Sequence, residues 1–199
     1  MLFTHRFLPV LVLLAGCAGS SLDPLNPGDV ILAFGDSLTY GTGVAADLSY
    51  PAVLESISGY RVIRSGISGE ISIAGLKRLP GVLEKEKPQL VVICHGGNDV
   101  LRRLSPGQTE ANLRSMIKLV RQHGAQVILI AVPKISLFPS TWKFYDAIEE
   151  DTDIPIEFDI LSELQRDSKM KSDPIHFNRA GYRKMAEAVR NLLQDNGAI

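Results

Sequence analysis

Short, unbroken apolar runs recur along the chain, and the segments between them have the spacing of amphipathic helices. Runs of this kind are typical of strands that are buried on both faces of a parallel sheet. Pro155 lies in the last run, which predicts that this strand is at a sheet edge or begins there. The runs are Val30 to Phe34, Val62-Ile63, Leu90 to Cys94, Val127 to Val132 and Ile154 to Phe158.

Three of the intervening segments have helical periodicity. Asn178 is suited to cap the last of them, and Pro80 predicts a kink or a break in the first. Alternating strands and helices with short links predict a three-layer α/β/α sandwich around a central, mainly parallel sheet. The apolar stripes are Ile73, Leu76, Leu79 and Leu83, then Leu113, Met116, Ile117 and Val120, and finally Tyr182, Met185, Val189 and Leu192.

The amino-terminal segment has a different character. His5 and Arg6 precede an apolar run, 7–14, that is too short to span a bilayer, as in a secretory signal. The following Leu14-Ala15-Gly16-Cys17 resembles the lipobox of bacterial lipoproteins. That resemblance implies cleavage before Cys17 and attachment of lipid to its sulfur, which would hold the domain on a membrane. The alternative is an ordinary signal with an incidental cysteine.

These features divide the chain into a signal peptide (1–16), a small, polar, lipid-anchored tether (17–28) and one domain (29–199). Ala18 follows the cysteine, which favours sorting to the outer membrane of a bacterial envelope, with a periplasmic or surface-exposed domain.

Charge and cysteine content exclude several classes of protein. The formal net charge is -1 and there is no long run of Lys or Arg, so we expect no nucleic-acid partner. Two cysteines in different contexts argue against a disulfide framework or a cysteine metal cluster. Cys94 lies in an apolar run and is expected to be a buried, inert thiol. We expect neither a metal nor a cofactor.

Polar segments stand where a parallel sheet places its ligands, beyond the carboxyl ends of the strands. Ser37 offers a hydroxyl, but an alcohol needs a neighbouring base to become a nucleophile. His176 is the candidate base, and Asp173 can accept a hydrogen bond from its other ring nitrogen. The backbone N–H groups of Ser37 and Gly69 and the side-chain amide of Asn98 are candidate donors to an oxyanion.

The same segments resemble the four blocks of the SGNH (GDSL) hydrolase family. In chain order they are Gly35-Asp36-Ser37-Leu38, the turn with Gly69, Gly96-Gly97-Asn98-Asp99 and Asp173-x-x-His176. The resemblance is greatest to the thioesterase I/lysophospholipase L1/arylesterase branch. It implies a flavodoxin-like fold and hydrolysis of (thio)esters through an acyl-enzyme, with Ser37, His176 and Asp173 as triad and Ser37, Gly69 and Asn98 as oxyanion hole.

Two residues depart from the family pattern. Arg64 stands where many relatives have Asn, which puts the hydrogen bonding of the Gly69 loop in doubt. Phe177 follows the histidine where Pro is frequent, and it is expected to change local packing or the wall of the cleft.

Simpler roles compete with each assignment. Ser37 could cap a helix, and Asn98 or Asp173 could close a turn. His95 is expected to be packed near the site rather than catalytic. Asp36 and Asp99 could form a glycosidase-like carboxylate pair, but holding loops is the simpler role.

The sequence indicates the substrate less closely than it indicates the catalytic residues. Leu137, Phe138 and Trp142 could line a substrate pocket or pack against the sheet, and the sequence does not choose between them. Short-to-medium acyl esters, aryl esters and lysophospholipids suit the resemblance. The alternatives are an O-acetyl esterase of envelope polysaccharide and a non-catalytic surface-binding lipoprotein.

Overall fold

The computed structural model describes residues 22–134 and 140–199. Its centre is a five-stranded sheet in the order β2-β1-β3-β4-β5, and every neighbouring pair is parallel. The strands are β1 (Val30–Gly35), β2 (Arg61–Gly66), β3 (Leu90–Cys94), β4 (Gln126–Ile130) and β5 (Ile156–Glu157). All five predicted strands are present, and the one beside Pro155 is short and lies at an edge, as predicted.

Helices cover both faces of the sheet. They are α1 (Ser37–Tyr40), α2 (Tyr50–Ser58), α3 (Ser72–Glu86), α4 (Gly97–Leu101), α5 (Pro106–Gln122), α6 (Phe144–Thr152), α7 (Ile160–Arg166) and α8 (Arg179–Asp195), with 3₁₀ turns at Ala46–Leu48 and Ser168–Met170. None of the helices in the described ranges has the length and hydropathy of a membrane span.

Alternate side chains of each strand enter two separate cores. On β1, Ile31 and Ala33 join the core beneath α2, α7 and α8, whereas Leu32 and Phe34 join the core beneath α3, α5 and α6. All four side chains are 0% exposed. The predicted three-layer α/β/α class is therefore confirmed.

Two helix predictions have different outcomes. Asn178 caps α8, because its Oδ1 accepts the N–H groups of Ala180 (2.9 Å) and Gly181 (3.1 Å). Of the kink or break predicted at Pro80, the break is wrong, since α3 continues through this residue. Leu79 and Leu83, on either side of Pro80, are both buried in the core, and their packing stabilises the helix against the loss of one N–H donor.

The folded unit begins earlier than residue 29. Residues 1–21, with the predicted signal and Cys17, lie outside the described part of the chain. From residue 22, however, the predicted tether packs on the domain: Leu22 and Leu25 belong to the core. The Leu25 N–H donates to the carbonyl of Ala198 (2.8 Å), and its carbonyl accepts from the Tyr60 hydroxyl (3.1 Å). These buried apolar side chains and hydrogen bonds show that residues 22–28 belong to the folded domain and are not a free tether.

This packing predicts that Leu25→Ala lowers the free energy of unfolding by about 2 kcal/mol, the lower end for a buried leucine. Urea denaturation measures it. Pro24→Ala, at an exposed neighbouring position, is the matched control and should change stability little. Equal stability of the two variants would show that residues 22–28 behave as a tether after all.

Candidate active site

The carboxyl edge of the sheet gathers the polar segments that the sequence singles out. Ser37 begins α1 directly after β1, and Gly69 lies in the loop after β2. Asn98 is in α4, after β3, and His176 is in the loop before α8. The cavity at this edge, of about 420 Å³, is lined by Ser37 and Asn98 among others.

Ser37, His176 and Asp173 form a continuous hydrogen-bonded chain. His176 Nδ1 is 2.7 Å from Asp173 Oδ2, and His176 Nε2 is 3.0 Å from Ser37 Oγ. An ionised carboxylate only accepts, so Nδ1 carries the proton and donates it to Asp173. Nε2 is then free to accept the serine hydroxyl proton. The three residues have the order and the contacts of a nucleophile, a base and an orienting acid.

The carboxylate of Asp173 is held ionised. Partial burial raises its pKa, but hydrogen bonds from the backbone and ring of His176 and from the Ile175 N–H outweigh this and lower the pKa to about 2. Both backbone donors are 2.8 Å from Asp173 Oδ1. Asp173 therefore closes its own turn and orients the imidazole, which unites two roles that the sequence left as alternatives.

The turn that presents Ser37 depends on close backbone approach. A Cβ atom on Gly35 would lie 2.1 Å from the Cys94 carbonyl oxygen, so a larger residue would force β1 and β3 apart. Asp36 accepts the N–H of Leu38 (3.2 Å) and caps the short helix that follows. Its carboxyl is buried, and burial raises its pKa. Asp36 thus holds the loop, as expected, and does not pair with Asp99.

The three candidate oxyanion donors differ in their present partners. Across the described ranges, the backbone N–H groups of Ser37 and Gly69 meet no protein acceptor. Asn98 Nδ2, by contrast, donates to the Glu70 carbonyl (3.0 Å) and to Asp36 Oδ2 (3.2 Å). Asn98 therefore ties the Gly69-Glu70 turn to its own helix, and its amide would have to exchange the longer contact for a substrate oxygen.

Beneath these loops lies a cluster that the sequence analysis did not predict, in which half-buried Arg78 and buried His95 contact the buried carboxylate of Glu70. Arg78 Nε lies 2.8 and 3.0 Å from the two carboxylate oxygens of Glu70, and His95 Nε2 lies 3.1 Å from Glu70 Oε2. His95 Nδ1 accepts the Gly96 N–H (3.0 Å), so Nε2 carries the proton and donates it to Glu70. Burial raises the pKa of Glu70, but the bonds from His95 and Arg78 prevail and lower it.

One signal could have revealed Arg78. It follows buried Gly75 by three residues on α3, so helical spacing places it on the side that faces the sheet. Its guanidinium lies 4.0 Å from the centre of the Phe34 ring. It also donates to the carbonyls of Gly35 (3.2 Å) and Ser65 (3.1 Å), at the ends of β1 and β2.

Several other predicted roles can now be compared with the structure. Cys94 is a buried thiol whose pKa is raised well above its usual value by burial. Asp99 holds loops together, since it accepts the N–H of Ser72 (2.8 Å). His95 is buried, at 1% exposure. In the described part of the chain, no three His, Cys, Asp or Glu side chains come together as metal ligands would.

The two departures from the family pattern are accommodated locally. Arg64 donates to the Tyr40 carbonyl (2.8 Å), and the loop of Gly69 keeps a hydrogen bond from the Ile67 N–H to the Gly35 carbonyl (3.1 Å). Phe177 is fully buried with its ring 5.7 Å from that of Tyr182, so it changes core packing. It also contributes to the wall of the Ser37 cavity.

A second cavity, of about 650 Å³, adjoins the first, and the two share Val100, Leu101, Val132 and Lys134. Trp142 lines this second cavity, not the one with Ser37, and its ring lies 6.2 Å from that of Phe144. Of the predicted substrate-pocket residues, Leu137 and Phe138 fall in 135–139, outside the described residues.

Known proteins share this sequence pattern and fold. Residues 33–184 match the sequence profile of the GDSL-like Lipase/Acylhydrolase family. The chain is 33% identical to esterase TesA of Pseudomonas aeruginosa over 197 aligned residues. This alignment covers 92% of this chain and 97% of the relative. It is 30% identical over 174 residues to thioesterase 1/protease 1/lysophospholipase L1 of Escherichia coli strain K12, covering 83% and 84%. The crystal structure of TesA matches with a TM-score of 0.75 at 30% identity, over 84% of this chain and 99% of that one.

The buried cluster predicts that Arg78→Met lowers the free energy of unfolding by about 3 kcal/mol, because Glu70 would keep its charge and lose its main partner. The pKa of Glu70 is lowered in the fold, so the pair stabilises the protein above the ordinary value of 4.5 and less as the pH falls through the lowered pKa. The difference in the free energy of unfolding between the variant and the parent should therefore be smaller at acidic pH than at neutral pH.

Urea denaturation at neutral and acidic pH measures this difference. Arg183→Met is the matched control, because Arg183 pairs with Glu187 at the surface (2.9 Å) and its loss should cost less than about 1 kcal/mol. A deficit for Arg78→Met that is small, or equal at both pH values, would contradict the role given to the cluster.

Proposed function

The chain belongs to the GDSL-like Lipase/Acylhydrolase family and is a serine hydrolase that acts on carboxylic esters, and we propose that Ser37 is its nucleophile, His176 its base and Asp173 the acid that orients the base. The observation that carries this assignment is the unbroken chain of contacts, 3.0 Å from Ser37 Oγ to His176 Nε2 and 2.7 Å from His176 Nδ1 to Asp173 Oδ2. The family resemblance drawn from the four sequence blocks is confirmed by the profile match.

The first half of the reaction forms the acyl-enzyme. Ser37 Oγ attacks the ester carbonyl carbon while His176 Nε2 takes the hydroxyl proton, and Asp173 stabilises the resulting imidazolium. When the tetrahedral intermediate collapses, the bond to the leaving oxygen breaks and His176 returns the proton to that oxygen. The alcohol departs, and the acyl group remains on Ser37.

The second half regenerates the enzyme. Water attacks the acyl carbon with His176 as base, and collapse of the second intermediate breaks the bond to Ser37 Oγ. His176 then returns a proton to the serine, and the carboxylic acid leaves. Because the pKa of Asp173 is about 2, its carboxylate stays ionised throughout the neutral range.

The negative oxygen of each intermediate needs donors that are already in place. We assign this role to the N–H groups of Ser37 and Gly69 and to the amide of Asn98. Asn98 Nδ2 lies 3.2 Å from Asp36 Oδ2, a longer contact than the one to the Glu70 carbonyl (3.0 Å), so this proton can turn to the substrate while the other still holds the turn.

The lining of the catalytic cavity favours an apolar acyl group. Its volume, about 420 Å³, is within the range of small-molecule sites. We propose short-to-medium acyl esters, aryl esters and lysophospholipids as substrates, with thioesters of the same acids. The apolar lining includes Leu38, Val100, Leu101, Val132, Leu161 and Ile175.

The alternatives are less well supported. An acetyl group would fill only a small part of this cavity, and Trp142, the candidate for stacking on a sugar, lines the neighbouring one. A protein that only binds has no use for an imidazole oriented by a carboxylate. Hydrolysis of longer acyl esters remains the better proposal.

We also propose, from the lipobox resemblance alone, that Cys17 carries the lipid anchor of an envelope lipoprotein. Cells expressing the full chain should incorporate labelled palmitate into it, and Cys17→Ser should abolish incorporation. Label that persists in Cys17→Ser would end the proposal, because no other lipidated residue is expected.

The catalytic assignment predicts that Ser37→Ala lowers kcat for p-nitrophenyl butyrate by about 10⁴-fold or more, because the nucleophile is lost. Ser68→Ala is the matched control: this hydroxyl lies at the same edge of the sheet, 2.9 Å from Thr42 Oγ1, and its loss should leave most activity. Equal activity in Ser37→Ala and the parent would remove the assignment.

The same assay tests the oxyanion donor. Asn98→Ala should lower kcat by about 10²-fold and leave KM nearly unchanged, because the lost interaction exists only when the oxygen is charged. An unchanged kcat would leave Asn98 as a residue that holds the Glu70 turn and nothing more.

A further inference from the structure

The large apolar side chains that the described part of the chain exposes are all at the edge of the sheet that bears Ser37. They lie after β1, after β2 and after β3, on segments otherwise far apart in sequence. Because every one of them is on the same side of the domain, they are not the scattered apolar residues of an ordinary surface. We call this set the apolar rim: Tyr40 (50% exposed), Ile67 (48%), Ile73 (37%), Leu101 (43%) and Leu104 (41%).

Hydrogen bonds join the segments of the rim into one surface. Arg64 donates to the Tyr40 carbonyl (2.8 Å), and its guanidinium lies 5.2 Å from the centre of the Tyr40 ring. This contact links the segment after β1 to β2. Arg102 Nη2 donates to the Gly69 carbonyl (2.8 Å), which links the segments after β2 and β3.

The substrate cavity does not account for the rim. Leu101 lines the cavity that contains Ser37, and Leu104 lines only the neighbouring one. Tyr40, Ile67 and Ile73 line none of the cavities described for residues 22–134 and 140–199. A single substrate molecule in the site would leave these three side chains in water.

The exposed charges on the segments that carry the rim are mainly positive, although the chain as a whole has a net charge of -1. Three exposed arginines lie among the apolar side chains: Arg64, Arg102 and Arg103. The carboxylates of the same segments are Asp36, Asp47, Glu70 and Asp99, of which all but Asp47 are buried. The exposed surface of these three segments is therefore cationic as well as apolar, whereas the loop before α8 adds the exposed carboxylate of Asp173 to the same edge.

We propose that the apolar rim docks on an anionic lipid surface and places the Ser37 cavity at the lipid–water boundary. Apolar side chains that enter the headgroup region, surrounded by arginines that pair with lipid phosphates, are the chemistry of interfacial binding. Arginine also keeps its charge in water while its carbon stem covers apolar surface, as at this edge. Docking requires no turnover, so it can be tested apart from the catalytic proposal.

The test places an environment-sensitive fluorophore on each edge of the full chain. The background is Ser37→Ala, which leaves the lipids intact, with Cys17→Ser, which leaves the buried Cys94 as the remaining native cysteine. Leu104→Cys carries the label on the rim, and Gln122→Cys carries it on the exposed carboxyl end of α5, at the opposite edge of the sheet. Excess phosphatidylglycerol vesicles should shift the emission of the rim label to the blue and leave the other unchanged.

Two further comparisons address the charge. Phosphatidylcholine vesicles should give a much smaller shift. Arg103→Gln should reduce the ratio of docked to undocked rim label about fivefold, since one arginine near an anionic surface contributes about 1 kcal/mol. An unshifted rim label, or equal shifts at both edges, would overturn the proposal. Equal shifts of the rim label on both lipids would overturn its electrostatic part, and a shift only on adding another protein would point to a protein partner instead.

Discussion

Gly35 pairs with Gly66 on one side and with Cys94 on the other, so β1, β2 and β3 end at the same level. The segments that follow them start side by side, which is why Ser37, Gly69 and Asn98 are neighbours although Ser37 and Asn98 are 61 positions apart in the sequence. A shift of one residue in this register would move every side chain of the strand to the opposite face of the sheet. The same parallel register thus stabilises the core and brings the residues of the site together.

The buried charges complete what the register begins. Arg78 donates to the carbonyls at the ends of β1 and β2 and to the carboxylate of Glu70, whose own carbonyl accepts from Asn98. His95 adds a link from Glu70 to the Gly96 N–H. A charge buried without partners is costly, but here each charged group is satisfied. Because one cluster contacts three strand ends, it fixes the loops that hold the candidate oxyanion donors.

The sequence predicts the sheet, the three long helices α3, α5 and α8, and the four polar segments, because periodicity and turn residues are local signals. It does not predict the cluster of Glu70, Arg78 and His95, whose members contact one another only once β2, β3 and α3 are packed together. The same reason explains residues 22–28: their composition is that of a linker, and only the neighbouring end of α8 shows that Leu22 and Leu25 are buried. Pro80 is a further case in which tertiary packing outweighs a local preference.

The packing of Leu22 has a consequence for how the domain would sit on a membrane. Leu22 is held by the end of α8, and Asp23 by Gln126 at the start of β4, so the chain enters the fold on the side away from Ser37. Residue 17 is five residues before residue 22, so even a fully extended chain spans at most about 18 Å between them. The lipid proposed for Cys17 would therefore hold the amino edge of the sheet towards the anchoring bilayer, with the Ser37 cavity on the side that faces away from it. In that orientation the enzyme would reach across a gap, to a facing membrane or to released lipid, and leave the leaflet that carries it untouched.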